Sequence, residues 1–224
     1  MKILVIEDEK ELAKSIGAYL HDENYLCEFA STANEALEKI HLYGYDCILL
    51  DLMLPGGSGI ELLKELKSMN RQDGVIIISA KNSLNDKIQG LQIGADDYLA
   101  KPFHLPELAA RVFSVIRRKH FGSTNIIEQN EIKINLLAKT ATVNNKEIPL
   151  TKKEFDLLLY FISNKNRVIS KSALAEHISG DVADMFDNYD FVYAHIKNLK
   201  KKLSDAGCEN YLKTLYGSGY KWDI

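Results

Sequence analysis

The sequence predicts an α/β domain built on a five-stranded parallel sheet with helices on both faces, followed by a smaller α+β domain. Three observations carry that expectation. Residues 2–121 alternate strand and helix patterns five times, the order that makes a parallel sheet with crossover helices. Three of the strand patterns, Ile3-Leu4-Val5-Ile6, Cys47-Ile48-Leu49-Leu50 and Val75-Ile76-Ile77-Ile78, are continuous apolar runs, as strands covered on both faces read. At Gly122-Ser123-Thr124-Asn125 the helical periodicity stops, and short strand-like pieces take over.

In chain order, strands are expected near 2–7, 25–30, 46–51, 75–79 and 96–100, and helices near 9–22, 32–43, 57–69, 83–93 and 104–119. A first domain then covers 1–120, and 121–125 is a linker too short to let two domains stray far apart. In the second domain, 126–224, residues 131–135 alternate, and 140–143 run into the tight turn Asn144-Asn145-Lys146 before 147–150. Thr151-Lys152-Lys153-Glu154 is a capping box, opening a helix with the apolar stripe Phe155, Leu158, Leu159 and Ile162. A shorter helix is expected over 171–178, a loop over 179–187, and a longer helix over about 188–205 that Gly207 ends. Two last strands flank Gly217-Ser218-Gly219 as a hairpin.

At 224 residues, 46% hydrophobic and 26% charged, the chain has the composition of a soluble globular protein. No apolar run approaches the length of a membrane span. The N-terminus turns acidic too soon for a secretory signal, so a cytoplasmic location is expected. The 3 cysteines, Cys27, Cys47 and Cys208, are scattered, which favours reduced thiols over a metal or disulfide framework. The net charge of −3 divides unevenly: 14 Lys+Arg against 18 Asp+Glu (−4) over 1–121, and 14 against 13 (+1) over 122–224. The second half is not basic enough to announce nucleic acid by charge alone, but its cations cluster in Lys197-Asn198-Leu199-Lys200-Lys201-Lys202.

Function is concentrated where strands end. The run Cys47-Ile48-Leu49-Leu50 leads straight into Asp51, and Ile3-Leu4-Val5-Ile6 into Glu7-Asp8. In open α/β sheets that carboxyl edge is where ligands bind. Alone, Asp51 reads equally well as a cap on the next turn. Three carboxylates brought together repel one another unless a cation sits among them, and oxygen donors suit a hard ion such as Mg²⁺. Ser79 ends the fourth strand, and Lys101 ends the fifth just before Pro102. Singly they read as a cap and a solvated lysine. Together the five groups suit attack by Asp51 on a phosphoryl group whose charge Mg²⁺ and Lys101 neutralise. No Gly-x-Gly-x-x-Gly follows the first strand, so a dinucleotide site is not expected.

Residues 1–120 resemble a flavodoxin-like receiver domain of two-component response regulators. The match is carried by Glu7-Asp8-Glu9, by Asp51-Leu52-Met53-Leu54-Pro55-Gly56-Gly57-Ser58-Gly59, by Ser79-Ala80, and by Gly94-Ala95-Asp96-Asp97-Tyr98-Leu99-Ala100-Lys101-Pro102-Phe103. The resemblance implies that Asp51 accepts a phosphoryl group from a sensor histidine kinase. It implies that Asp8, Asp51 and the Met53 carbonyl bind Mg²⁺, with Glu7 acting through water. Lys101 then contacts the phosphoryl group, Ser79 follows it, Tyr98 is the switch aromatic, and the Lys101–Pro102 bond is cis. Lys87, Asp96, Asp97, Glu107, Arg111 and Arg118 match positions that form intersubunit ion pairs in the OmpR/PhoB subfamily, so a homodimer is implied for the phosphorylated state.

In the second half, Val192, Ile196, Leu199 and Leu203 form one apolar stripe, with Lys197 and Lys201 opposite. From that helix alone a lysine-rich solvated face is the plainer reading. The half as a whole resembles the winged-helix effector domain of the OmpR/PhoB subfamily. Three stretches carry the match: Leu150-Thr151-Lys152-Lys153-Glu154-Phe155-Asp156-Leu157-Leu158, the helix segment Val192 to Leu203, and Tyr216-Gly217-Ser218-Gly219-Tyr220. The resemblance implies binding to double-stranded promoter DNA. His195, Lys197 and Lys200 would meet phosphates, with Lys201 on the same cationic face, and Tyr193, Ala194 and Asn198 would lie nearest the base edges. The loop at 179–187 corresponds to one that contacts RNA polymerase in some members. Two departures stand out. Members usually carry Asp-Val where this chain has Tyr193-Ala194, and arginine where it has Tyr216 before the wing glycine. Asn198, often arginine in the family, suits adenine better than guanine.

The expected function is therefore a phosphorylation-controlled transcriptional regulator. It is not an enzyme beyond its own phosphorylation and dephosphorylation. Aspartyl-phosphate phosphatases share the strand-end aspartate and Mg²⁺, but place a second aspartate where this chain has Met53, and no cap insert is visible. A regulator indifferent to phosphorylation is the remaining alternative, and the complete acidic set argues against it.

Overall fold

The computed structural model describes residues 1–224 apart from 56, 70, 72, 82, 123 and 180–189, and of Ser179 and Asp190 it describes only the backbone. The chain forms two compact units, Met1–Gly122 and Ser123–Ile224.

In the first unit β1 (Lys2–Ile6), α1 (Lys10–Asp22), β2 (Leu26–Ala30), α2 (Ala33–Leu42) and β3 (Cys47–Leu50) are followed by the two-residue strands β4 (Met53–Leu54) and β5 (Gly57–Ser58). Then come α3 (Gly59–Ser68), β6 (Gly74–Ser79), α4 (Leu84–Ile93), β7 (Asp97–Ala100) and α5 (Leu105–Phe121). The five long strands make one parallel sheet in the order β2-β1-β3-β6-β7. Their apolar runs are buried on both faces with period two. Ile3, Val5, Cys47, Leu49, Ile76 and Ile78 pack with Ile16 and Leu20 of α1 and Leu108 and Val112 of α5. Leu4, Ile6, Ile48, Leu50, Val75 and Ile77 pack with Ile40 of α2 and Leu62, Leu63 and Leu66 of α3. Each such Ile or Leu contributes about 1.5–3 kcal/mol relative to exposure. Two of the helix starts are capped by side chains: Thr32 Oγ1 accepts from Glu35 N, and Ser83 Oγ from Asp86 N. The third helix begins two residues later than its periodicity predicts, because Gly57–Ser58 pair with Met53–Leu54 instead.

In the second unit β8 (Ile126–Gln129), β9 (Ile132–Asn135), β10 (Thr140–Val143) and β11 (Lys146–Ile148) form an antiparallel sheet. Then follow α6 (Lys152–Ser163), β12 (Val168–Ile169), α7 (Lys171–Ser179), α8 (Asp190–Asp205) and the hairpin β13 (Leu212–Leu215) with β14 (Gly219–Trp222), whose second strand also pairs β12. Three helices followed by a hairpin is the order expected of a winged helix. Asn144 and Asn145 both take the positive φ a tight turn requires. The loop expected at 179–187 lies almost wholly outside the described residues.

Thr151 and Glu154 form the expected capping box at α6. Glu154 does more than cap. Its buried carboxylate accepts from Thr151 N and from Lys202 Nζ, both at 2.7 Å, and Lys202 also donates to the Pro149 carbonyl. Burial alone would raise the Glu154 carboxyl, but these hydrogen bonds outweigh it and hold the carboxyl below its ordinary 4.5. The pair's stabilisation is therefore complete above pH 4.5 and is lost as pH falls through the lower folded value. Glu154→Gln should cost about 1–2 kcal/mol at neutral pH, with the gap to wild type closing in acid. Denaturant titrations followed by Trp222, the chain's 1 tryptophan and fully buried, measure it. A gap that stays constant from about pH 7 to about pH 3.5 sinks this account. Among the described residues no helix is long and apolar enough to cross a membrane.

Candidate functional site

The register of the parallel sheet places its functional strand ends side by side. Ile6 aligns with Leu50, Leu50 with Ile77, and Ser79 with Ala100. The residues just beyond, Glu7, Asp8, Asp51 and Lys101, therefore emerge at one edge. Lys101 Nζ lies 2.6 Å from Asp51 Oδ2, and 2.9 and 2.7 Å from the two carboxylate oxygens of Glu7. Glu7 and Asp51 are each 3% exposed, while Asp8 faces solvent. Burial pushes the Glu7 carboxyl up, and Lys101 only partly counters it. For Lys101 burial works downward, but the hydrogen bonds to Asp51 and Glu7 prevail and raise the ammonium above its usual value.

Carboxylate oxygens of Glu7, Asp8 and Asp51 lie within 4.8 Å of one another, the one such group of potential metal ligands among the described residues. Three convergent oxygen donors, only one amine among them, fit a hard divalent cation. The loop after Asp51 is fixed by Met53 N, which donates to Asp51 Oδ1 at 2.9 Å. Gly59 closes that loop: a Cβ there would sit 2.4 Å from the Asp51 carbonyl oxygen. Only glycine lets α3 begin directly behind Asp51.

Ser79 is fully buried at the end of β6, and its Oγ accepts from Lys81 N at 3.3 Å. Tyr98 on β7 points inward, and its hydroxyl donates to the Lys81 carbonyl at 2.6 Å. Ser79 and Tyr98 thus share the backbone of Lys81, which the sequence did not single out, and their side chains also interact directly. The Lys101–Pro102 peptide is cis, as the resemblance implied.

Four of the six charged residues expected on the α4–β7–α5 face, Asp96, Asp97, Glu107 and Arg111, form ion pairs within the chain. Arg111 bridges Asp97 and Glu107, each at 2.8 Å. Asp96 accepts from Val75 N and lies 3.0 Å from Lys119 and 3.6 Å from Lys67. Arg118 donates weakly to the Asp96 carbonyl and Ser114 Oγ. Lys87 sits half-buried on α4, whose outer side exposes Leu84, Ile88 and Leu91.

In the second unit Val192, Ile196, Leu199 and Leu203 are buried, as their spacing required. Tyr193, Ala194, Lys197, Asn198 and Lys201 are exposed on α8, and His195 is half-buried. Burial and nearby Lys153 lower the His195 imidazole. Lys200 turns toward the hairpin: its Nζ donates to Thr214 Oγ1 at 2.8 Å and stands 5.8 Å from the Tyr220 ring. Burial and Lys213 lower it. Tyr216, at the hairpin tip, is 97% exposed.

Residues 3–113 match the response regulator receiver domain family, and residues 145–222 match the family of transcriptional regulatory proteins' C-terminal domains. The chain is 37% identical over 218 residues to response regulator ArlR of Staphylococcus haemolyticus, covering 97% of each chain. To ArlR of Staphylococcus aureus it is 37% identical over 219 residues, covering 98% of each. This chain belongs to the OmpR/PhoB family of response regulators. Among solved structures, the receiver domain of Francisella response regulator 1452 is 41% identical, with a TM-score of 0.51, covering 52% of this chain and 97% of that one.

The first unit of this response regulator is thus a receiver domain, and the second an OmpR-type DNA-binding domain of a transcription regulator. The sequence had no signal for two of its contacts. Lys202, in the cationic run, braces α6 through Glu154, and Lys200 braces the hairpin through Thr214. A lysine's partner 48 residues away is invisible to spacing along a helix.

Proposed function

We propose that this regulator is switched by phosphorylation of Asp51, with a sensor histidine kinase as donor, and that the phosphorylated protein dimerises and binds repeated promoter half-sites. The observation that carries this reading is the pairing of buried Asp51 with Lys101 at 2.6 Å inside a cluster of three carboxylates. An Asp51 carboxylate oxygen attacks the phosphorus, an acyl–phosphate bond forms, the bond to the donor imidazole nitrogen breaks, and that nitrogen takes up a proton. Asp8, Asp51 and the Met53 carbonyl would hold Mg²⁺ directly and Glu7 through water; when bound, the ion supplies charge neutralisation for the phosphoryl oxygens. Lys101 contacts the same oxygens. Ser79 donates to one of them, giving up its contact with Lys81 N, and Tyr98 responds because its phenol interacts with the Ser79 side chain as well as with the Lys81 carbonyl. Added Mg²⁺ should raise the receiver's melting temperature, and Asp8→Asn should reduce that rise several-fold, as read by calorimetry. Equal shifts in both proteins remove Asp8 from the ion's ligands.

The dimer surface is Lys87, Asp96, Asp97, Glu107, Arg111 and Arg118. Asp96, Asp97, Glu107 and Arg111 already form ion pairs within one chain, so for these four pairing exchanges partners more than it creates attraction. The charges then set register, and modification sets the population of the pairing state. Residues 121–125 link the domains.

On DNA, His195, Lys197 and Lys201 meet phosphates, Tyr193, Ala194 and Asn198 face base edges, and Lys200 serves chiefly to hold the wing. Tyr216 brings an uncharged ring to the minor groove where the family usually brings arginine. Lys197→Ala should weaken all sites alike with a salt slope shallower by about one charge. Asn198→Ala should instead change sequence preference, at about 1–3 kcal/mol for its base pair. Unchanged preference in a selection experiment removes Asn198 from base readout. The reading as a whole is tested by incubating the protein with Mg²⁺ and acetyl phosphate, and measuring labelled aspartate, mass in solution and selected DNA together. A folded protein that stays unlabelled refutes it.

A further inference from the structure

A second concavity adjoins the acidic edge at Glu7 and runs along α1 and the open side of β2. Its volume is about 640 Å³, within the range of small-molecule sites. β2 is an outer strand with β1 as its one neighbour, so its far edge offers backbone groups to whatever lies beside it. The floor is apolar and flat: Ala13, Gly17 and Ala18 on α1, and Cys27 and Phe29 on β2. Gly17 makes it so. A Cβ there would lie 2.4 Å from the tip of the Phe29 ring, so only glycine lets that ring rest on the helix. The ring is nevertheless 41% exposed, an aromatic surface facing solvent.

Lys10 and Lys14, both exposed, line the same concavity. They are one turn apart on one face of α1, and Lys14 is three residues from Gly17, about 4.5 Å along the axis. Two ammonium groups and the Phe29 ring are thus within reach of one molecule. Of the two acids lining the concavity, Glu7 is paired with Lys101, and Glu35 accepts from Ser31, itself a lining residue, at 2.8 Å from N and 3.1 Å from Oγ.

We propose that this groove binds a flat aromatic anion, its ring against Phe29 and its carboxylate, sulfonate or phosphate between Lys10 and Lys14. A small ligand is favoured over a protein chain because the complementary groups are concentrated at one place, two lysines one turn apart beside one exposed ring. Glu7 belongs both to this groove and to the acidic edge, so an occupant also alters the rate of Asp51 phosphorylation; this consequence alone rests on the phosphoacceptor reading.

The test uses the full-length protein, isotope-labelled, titrated with 1-naphthoate and with the neutral 1-naphthalenemethanol while amide shifts are followed. Naphthoate should saturate at sub-millimolar concentration, moving residues 10–21 and 26–31, and the neutral compound should bind about tenfold more weakly or worse. Lys14→Glu should weaken naphthoate by a similar factor. Ala18→Trp, at an exposed helix position, should fill the groove and abolish binding with an unchanged melting temperature. Equal binding of the two compounds to wild type overturns the proposal whatever the variants do. So do shifts centred elsewhere, or no shift at all. Asp51→Asn should bind naphthoate as wild type does, which separates a failure here from a failure of the phosphoacceptor reading.

Discussion

Asp51→Asn should lose phosphoryl labelling from acetyl phosphate by at least about 100-fold, and with it the phosphodonor-driven gain in mass and DNA affinity. An amide lacks the anionic oxygen that must attack, so the loss does not depend on geometry. Folding should survive. The variant gives up the 2.6 Å contact between Asp51 and Lys101, but it also removes one of three crowded carboxylates, and Lys101 keeps both oxygens of Glu7. These effects oppose, and the net change in stability should stay within about 1 kcal/mol. Lys101→Met gives the complementary result. It keeps the nucleophile but leaves Glu7 and Asp51 facing each other without a cation, so labelling slows rather than vanishes and the Mg²⁺ requirement steepens. Label that persists in Asp51→Asn at the wild-type rate ends the assignment. DNA affinity that never responds to donor, in either protein, favours a regulator indifferent to phosphorylation.

The acidic edge was legible because its residues follow apolar runs. Glu7, Asp51 and Lys101 each directly follow an uncharged run that completes a strand, Ile3–Ile6, Cys47–Leu50 and Tyr98–Ala100, and Asp8 follows Glu7. Helix α8 was half legible. Its buried stripe follows from spacing, but which lysines face outward in fact depends on partners far along the chain. Lys200 and Lys202 belong to the same run as Lys197 and Lys201, yet hold Thr214 and Glu154. The α4–β7–α5 charges show the same limit. The resemblance matches Asp96 to an intersubunit ion-pair position, and nothing along the sequence foretells that it also accepts from Val75 N and lies beside Lys67 and Lys119 from two helices. Tertiary contacts decide such cases, and a linear pattern carries no record of them.

Glycines mark the same boundary, and one of them gives the larger stability effect. Gly217 and Gly219 flank one serine and look equivalent in sequence. Both take positive φ, +77° and +137°. A Cβ at Gly217 meets nothing within 4 Å, whereas at Gly219 it would lie 2.0 Å from the Ile169 carbonyl oxygen and 3.0 Å from Ser170 Cα. Gly217→Ala should therefore cost only the left-handed penalty, about 1 kcal/mol. Gly219→Ala adds a collision with backbone that cannot rotate away, so β12 must separate from β14 or the hairpin must open, at about 3–5 kcal/mol. That is a large share of the roughly 5–15 kcal/mol that holds such a domain together. Trp222, three residues on in β14, reports it directly: its unfolding midpoint should fall sharply in Gly219→Ala and slightly in Gly217→Ala. Because β14 carries Tyr220, near which Lys200 stands, and the hairpin carries Tyr216, DNA affinity should fall with it. Labelling of Asp51, which depends on the first unit alone, should not change. Equal losses from the two alanines would show that the close approach of β14 to Ile169 does not constrain the wing.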